Sequence, residues 1–319
     1  MVEMTLKDIE QARTRIGVVA RRTPLEHSRL LSSEHGREVL LKLECLQVAG
    51  SFKLRGAMSK LSRLTADQRA RGVLTASAGN HGLGVAYCAE ALGIEATIVV
   101  PESASRAKVE AIRRYPVTLI ERGASYDDAE RAARAMERES GAVFVSAYND
   151  EDVIAGQGTI GLELLEDAPE LEAIIVPVGG GGLIAGVAIA AKAIKPSIKV
   201  YGVEPEASPT MTAALSAGRL IQIEEDETIA DGLAGNVEPD SITFPIVQAL
   251  VDGIILVTED AIRNAIVRVA REDHLMIEGS AAAGIAALAD PAIQSRSVAA
   301  IITGRNITLD LFERVISGR

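Results

Sequence analysis

Short apolar runs rich in β-branched residues alternate, nearly from one end of the chain to the other, with segments whose apolar or alanine positions recur at helical spacing. The runs predict strands at Val39–Leu43, Val73–Ala76, Ala96–Val100, Thr118–Glu121, Ala142–Ser146, Ala173–Val178, Lys199–Val203, Ile254–Val257 and Val298–Thr303. Between them, Tyr126–Glu139 and Asp260–Glu272 carry their charges on one face and predict helices. Thr5-x-x-Asp8 and Thr258-x-x-Ala261 open two helical runs, the first with an acidic residue at the capping-box position. Strands that are apolar throughout, rather than alternating, are buried on both faces. The predicted class is therefore α/β, with mostly parallel sheets covered by helices. In such sheets ligands gather beyond the carboxyl ends of the strands, where loops meet helix N-termini. The glycine-rich and polar clusters of this chain fall at those junctions.

One stretch imitates a membrane span: Ala173 to Ala191 carries no charge. Pro177 and four consecutive glycines sit at its centre, so a buried strand, a glycine turn and a helix from Leu183 to Ala193 account for it better. The 319 residues exceed what one core usually fills. Hydrophobic residues at 48% describe a globular protein, and a net charge of -11 disfavours the concentrated basic footprint that nucleic acid requires. Five Tyr, four Phe and no Trp leave no platform for stacking bases. Cys45 and Cys88 alone build neither a disulfide framework nor a thiolate metal site. No basic-then-apolar leader opens the sequence, which points to the cytoplasm.

Four clusters can carry chemistry. Gly179-Gly180-Gly181-Gly182-Leu183 lies between a buried strand and an alanine-rich helix. Its main-chain N–H groups and the helix N-terminus can cradle a phosphate without a cation. The same letters fit the dinucleotide fingerprint, Gly180-x-Gly182-x-x-Ala185 followed by Glu204, so a nicotinamide- or flavin-dependent dehydrogenase is a rival. Ser51-Phe52-Lys53-Leu54-Arg55-Gly56-Ala57 places a lysine at a helix start, where anions rather than cations are favoured. Such a lysine is either a solvated surface group or, buried by Phe52 and Leu54, an amine of lowered pKa suited to an aldehyde. Ser77-Ala78-Gly79-Asn80-His81-Gly82 forms an anion nest for a carboxylate, with an Asn amide able to reach a ring substituent; as an N-cap alone, Ser77 or Asn80 would suffice. His81 has no orienting partner in sequence and reads as structural or substrate-lining. Thr303-Gly304-Arg305-Asn306 follows an apolar strand and is weak by itself. His27, His35 and His274 are scattered, without metal-ligand spacing, and no metal site is predicted.

Taken together, these clusters resemble the fold-type II pyridoxal-phosphate enzymes, in the serine/threonine dehydratase and serine racemase branch. The resemblance runs through Thr23-Pro24-Leu25, Ser51–Ala57, Ser77–Gly82, Gly156-Gln157-Gly158-Thr159, Gly179–Leu183, Gly202-Val203-Glu204-Pro205, Asp231-Gly232 and Thr303–Asn306. It implies a two-domain architecture like the β-subunit of tryptophan synthase. A large cofactor-binding domain would comprise residues 1–47 and 146–319, and a small mobile domain, 48–145, would close over substrate. It further implies that Lys53 holds the cofactor aldehyde, Gly179, Gly180, Gly181, Gly182 and the Leu183 N–H bind its phosphate, and Phe52 packs against its ring. Asn80 would bond the ring hydroxyl and Thr303 would face the pyridine nitrogen. The backbone of Ser77, Ala78, Gly79, Asn80 and His81 would take the substrate carboxylate. Relatives are often homodimers.

The implied chemistry is β-elimination. An incoming amino acid displaces Lys53, whose freed amine is the natural base for the α-proton. A neutral Thr303 disfavours a long-lived carbanion, which suits loss of a β-hydroxyl and release of a 2-oxo acid and ammonia. The predicted activity is thus a threonine or serine dehydratase. Serine racemase is the same-fold alternative, with a specialised dehydratase acting on 3-hydroxyaspartate or a hydroxyectoine-derived substrate beside it. Racemases of the family carry a serine where this chain has Ala78, so efficient racemisation is not expected. Metal-dependent relatives have an Asp where this chain has Thr210, which puts a divalent-cation site near Glu204 in doubt. Arg305 stands where many relatives have glycine; it either pairs with an acidic neighbour such as Glu278 or faces solvent.

Overall fold

The computed structural model describes residues 4–318. Four elements open the chain: α1 (Leu6–Ile16), β1 (Leu25–His27), α2 (Arg29–His35) and β2 (Glu38–Lys42). Next come α3 (Lys53–Ser62), α4 (Ala66–Arg71), β3 (Val73–Ala76), α5 (Asn80–Leu92), β4 (Ala96–Val100), α6 (Arg106–Ile112), β5 (Thr118–Glu121), α7 (Tyr126–Ser140) and β6 (Val143–Phe144). The remainder holds α8 (Glu151–Asp167), β7 (Ala173–Pro177), α9 (Gly182–Ile194), β8 (Lys199–Pro205), α10 (Thr210–Ala217), α11 (Thr243–Leu250), β9 (Gly253–Val257), α12 (Glu259–Glu272), α13 (Gly279–Ala286), β10 (Ser297–Ile301) and α14 (Leu309–Ser317).

The strands form two sheets. One runs β1-β2-β10-β7-β8-β9 and is parallel except for β1 against β2; the other runs β5-β4-β3-β6 and is parallel throughout. The α/β class read from the sequence is therefore the observed one. Alternation along β7 shows how the larger sheet is covered: Ala173 and Ile175 pack towards α12 and α13, whereas Ile174 and Val176 pack towards α8 and α9. No helix among the described residues is long and apolar enough to cross a membrane. The uncharged stretch 173–191 is instead β7, a glycine turn and most of α9.

The predicted strands are present with shifts of a few residues, and β1 is the addition. It lies at a sheet edge with Glu26 and His27 exposed, so it lacks the apolar run that marked the others. Asp8 accepts from the Thr5 N–H at 2.9 Å and closes the start of α1, as the capping-box spacing predicted. The Gly156-Gln157-Gly158 segment is explained by close approach on both sides of α8. A β-carbon on Gly156 would lie 2.5 Å from the Arg55 carbonyl, and one on Gly158 would lie 2.8 Å from the Gly186 carbonyl. Helix α3, which begins at Lys53, is thereby packed directly on α8.

That contact encloses four charges whose pairing the sequence did not signal. Lys42, Glu44, Arg55 and Glu163 are all at least 95% buried, since their exposures are 0%, 0%, 1% and 5%. Arg55 grips the Glu44 carboxylate with Nε and Nη2 at 2.8 and 2.7 Å, and Glu163 with Nη1 and Nη2 at 2.6 and 2.9 Å. Lys42 completes the set at 2.6 Å from Glu163. Two cations and two carboxylates thus balance, which is what permits their burial.

Candidate active site

Lys53 is half-buried at the start of α3, after Phe52 in helical conformation. Its Nζ donates to the Ala147 carbonyl at 3.0 Å and stands 5.2 Å from the centroid of the Phe52 ring. Removal from water pulls its pKa down to about 8, while the Glu278 carboxylate pushes the other way. Burial thereby raises the share of neutral amine, which is the form that attacks a carbonyl carbon or takes up a proton.

Tyr148, the neighbour of Ala147, joins the lysine to the glycine turn. A β-carbon on Gly180 would lie 2.3 Å from the Tyr148 ring, and one on Gly182 would lie 2.9 Å from the Tyr148 Cα. Gly181 has φ +85°, the left-handed region that glycine adopts without strain. Thr243 Oγ1 donates to the Gly180 carbonyl at 2.8 Å and fixes that peptide unit. Helix α9 then begins at Gly182 with no side-chain cap. Bare N–H groups at the positive end of a helix are what binds an anion. On its other side the turn packs against residues 232 and 233, and the Gly232 N–H donates to Ser280 Oγ at 3.0 Å.

Ser77, Ala78, Gly79 and Asn80 connect β3 to α5 and are half-buried. Neither Ser77 nor Asn80 caps α5. Gly79 is the N-cap, and Ser77 Oγ accepts from the Gly79 N–H at 3.2 Å. A β-carbon on Gly79 would meet nothing within 4 Å, so the turn borders open space. His81 is buried, with Nε2 at 2.9 Å from the Val145 carbonyl. A carbonyl only accepts, so Nε2 carries the proton and Nδ1, buried without a partner, is an acceptor. Burial, reinforced by the Lys53 charge, pushes the His81 pKa down to about 3, which keeps the ring neutral.

Thr303 and Asn306 close the arrangement. The Phe52 N–H donates to the Thr303 carbonyl at 3.1 Å, and Ser51 pairs with Gly304 in an isolated bridge. Thr303 Oγ1 and Ser51 Oγ are both buried without a hydrogen-bond partner, an arrangement that costs about 1–3 kcal/mol per group unless a ligand answers it. Glu278, buried and named in the sequence only as a candidate partner of Arg305, faces Asn80 Nδ2 at 2.6 Å and the Asn306 N–H at 3.0 Å. Burial and the Asp231 charge push its pKa up to about 7, against the pull of those hydrogen bonds and Lys108. A β-carbon on Gly304 would lie 2.4 Å from its Oε1, which explains the glycine after Thr303. Arg305 does not pair with Glu278: it is exposed, and Asn306 occupies that place.

The contacts thus bring all four sequence clusters into one constellation. Ala147, Tyr148 and the Glu278–Asn306 contact were missed, because nothing in their local sequence signals them. The four helices that open at the site, α3, α5, α9 and α13, all lack a side-chain cap. Helices α2, α7, α8 and α12 each have one, whereas α10 and α11 also lack one, so a missing cap is not confined to the site. The dinucleotide alternative fails at Glu204. That carboxylate is fully buried and accepts from the N–H groups of Met211 and Thr212 at 2.7 and 2.9 Å, so no oxygen remains for a ribose. Among the described residues no group of three His, Cys, Asp or Glu could hold a metal ion.

A family model described as pyridoxal-phosphate dependent enzyme matches residues 17–304. The L-threonine ammonia-lyase of Thermotoga maritima is 43% identical over 315 residues, covering 98% of this chain and 78% of the relative. The structure of maize serine racemase superposes with a TM-score of 0.93 at 37% identity, covering 99% of this chain and 97% of that one. The structure of the processed form of threonine deaminase isoform 2 from Solanum lycopersicum gives a TM-score of 0.91 at 35% identity, covering 98% of this chain and 88% of that one.

Proposed function

We propose that this chain, which belongs to the family of pyridoxal-phosphate dependent enzymes, is an ammonia-lyase that converts a β-hydroxy amino acid, L-threonine or L-serine, to a 2-oxo acid and ammonia. The chain uses pyridoxal phosphate, and the groups present suit it. The glycine turn offers main-chain donors where Tyr148 leaves no room for a side chain, and Thr303 holds out an unanswered hydroxyl. On this reading Gly179 to Gly182 and the Leu183 N–H hold the phosphate, and Lys53 carries the aldehyde carbon. Phe52 packs on the ring, Asn80 meets the ring oxygen and Thr303 Oγ1 meets the ring nitrogen. When bound, pyridoxal phosphate supplies an electron-accepting ring for the charge left as the α-proton departs.

The rest falls to the chain. N–H groups of Ser77 to His81, at the uncapped start of α5, hold the substrate carboxylate. The neutral Lys53 amine takes the α-proton. The uncharged Thr303 would not hold a proton on a ring nitrogen, which suits β-elimination, and the proton taken up by Lys53 would leave with the β-hydroxyl as water. Ala78 has no proton to return from the opposite face. The reading rests on one observation above the others: the Lys53 amine, eased towards neutrality by burial, is joined through Ala147 and Tyr148 to the bare N-terminus of α9. Serine racemisation is the second reading, favoured by the likeness to the maize enzyme structure and opposed by Ala78. The resemblance also supports a cytoplasmic homodimer in which residues 48–145, a small mobile domain carrying the substrate-carboxylate loop, close over the substrate against the cofactor-binding domain of residues 1–47 and 146–319.

The test is 2-oxo acid release across L-serine, L-threonine, 3-hydroxyaspartate and phenylserine, with D-serine assayed alongside. Threonine and serine should turn over, D-serine should stay near background, and Lys53→Ala should fold yet lose both turnover and the borohydride-fixed cofactor adduct. D-serine formed from L-serine as fast as pyruvate, or full activity in Lys53→Ala, would overturn the assignment.

A further inference from the structure

Glu278 is the residue before α13, at its N-cap position. Its side chain turns away and leaves α13 without a side-chain cap. Oε1 accepts from Asn80 Nδ2 at 2.6 Å, and Oε2 accepts from the Asn306 main-chain N–H at 3.0 Å. The Asn306 side-chain nitrogen donates in two directions, to the Ala49 carbonyl at 3.0 Å and to Asn80 Oδ1 at 2.6 Å. Together these contacts form a relay that links positions 49, 80, 278 and 306.

The relay fixes something that a single asparagine cannot fix for itself. A side-chain amide fits the same space equally well in two senses, oxygen and nitrogen exchanged, and only its partners decide between them. Here both ends are main-chain groups of fixed polarity. The Ala49 carbonyl demands the NH2 of Asn306, so Asn306 presents N–H, and not oxygen, to Asn80. Asn80 must answer with Oδ1, which turns its own NH2 towards Glu278. Glu278, when ionised above its pKa of about 7, is an acceptor for the Asn306 N–H and for Asn80 together. With one N–H spent on the carboxylate, the second N–H of Asn80 Nδ2 is the donor left over.

We infer that Glu278 and Asn306 are positioning residues that lock the Asn80 amide as a hydrogen-bond donor, so that its remaining N–H is preset for an ionised oxygen. The inference rests on the reading above, in which that oxygen belongs to the cofactor ring. Glu278 touches neither reacting atoms nor substrate in this role; it acts through Asn80.

Glu278→Gln is the sharp probe, because it keeps the shape and inverts one polarity. The Asn306 N–H holds the remaining Gln oxygen, so the new NH2 faces Asn80 and drives the amide to flip. The flipped NH2 then meets the Asn306 NH2, donor against donor. The cofactor-free chain is titrated with pyridoxal phosphate, following the visible band of the bound form, for the parent, Asn80→Ala, Glu278→Gln and the double variant. Asn80→Ala and Glu278→Gln should each weaken affinity about tenfold or more, the scale of one charge-assisted hydrogen bond. The double variant should bind within about twofold of Asn80→Ala, because two residues that act through one contact are not additive. Asn306→Ala, which removes the second constraint without placing a wrong donor, should give a smaller loss and serves if Glu278→Gln does not fold. Losses that multiply in the double variant, or Glu278→Gln binding like the parent while Asn80→Ala is impaired, would overturn the relay alone. Parent-like affinity in Asn80→Ala would instead reject the reading of the site, and the relay with it.

Discussion

A lysine ammonium that leaves water gives up solvation that one carbonyl does not restore. Lys53 is in that position, with Ala147 as its hydrogen-bond partner and a pKa drawn down to about 8. The sign is fixed by which form burial penalises: below pH 8 the amine carries its proton, above it the amine is free. At pH 7 about a tenth is neutral, several hundred times more than for a solvated lysine. In the cofactor-free protein, the rate at which an amine-directed reagent labels the Lys53 peptide should therefore reach half its plateau near pH 8. Surface lysines labelled in the same digest should lag by more than two pH units. Because the Glu278 carboxylate raises the Lys53 pKa, Glu278→Gln should move the midpoint lower, not higher. A midpoint at pH 10 or above would show that burial does not govern this amine.

What holds that amine in place is set by the element it belongs to. Helix α3 is anchored two residues after Lys53 by Arg55, which spans Glu44 beside β2 and Glu163 on α8. Removing one member of such a set leaves like charges buried and unpaired, a loss of about 3–5 kcal/mol. Arg55→Met, which keeps most of the volume, should lower unfolding stability by that amount in urea titrations; a loss under about 1 kcal/mol would mean the carboxylates find other partners. None of this was legible in the sequence: Lys42 fell inside a predicted strand, Arg55 inside the motif read for Lys53, and Glu44 and Glu163 carried no local signal, because their partners lie 11 to 121 residues away. The strands and glycine turns were legible because their signals are local: an apolar run, or N–H groups at a helix start, needs only adjacent residues. β1 escaped because an exposed edge strand carries no such run. Glu278 escaped for the opposite reason, since its meaning lies in Asn80, 198 residues away.

At the scale of the whole molecule, α3 lies between the two sheets. Leu54, Ala57, Met58 and Leu61 pack on Val85, Cys88 and Ala89 of α5, while Gly56 lies against Val153 and Gln157 of α8. If residues 48–145 close over the substrate as proposed, α3 is the element both units share, and the groups that meet across the two units would bias that closure. Lys108 on α6, in the four-stranded unit, pairs with Asp231 beside the glycine turn of the six-stranded unit. The pair is partly exposed, so it is worth about 0.2–1 kcal/mol and is weakened by salt. If it forms only when the units are together, that energy appears in substrate binding, not in fold stability. Lys108→Ala should leave the thermal midpoint nearly unchanged and raise KM by about 1.5- to fivefold, the same energy expressed as a ratio. Raising the ionic strength should raise KM of the parent towards that of the variant and leave the variant nearly indifferent. A variant whose KM matches the parent at low salt would show that the contact forms irrespective of substrate. Equal salt dependence in the two proteins would place the screened charges elsewhere on a chain whose net charge of -11 offers many candidates.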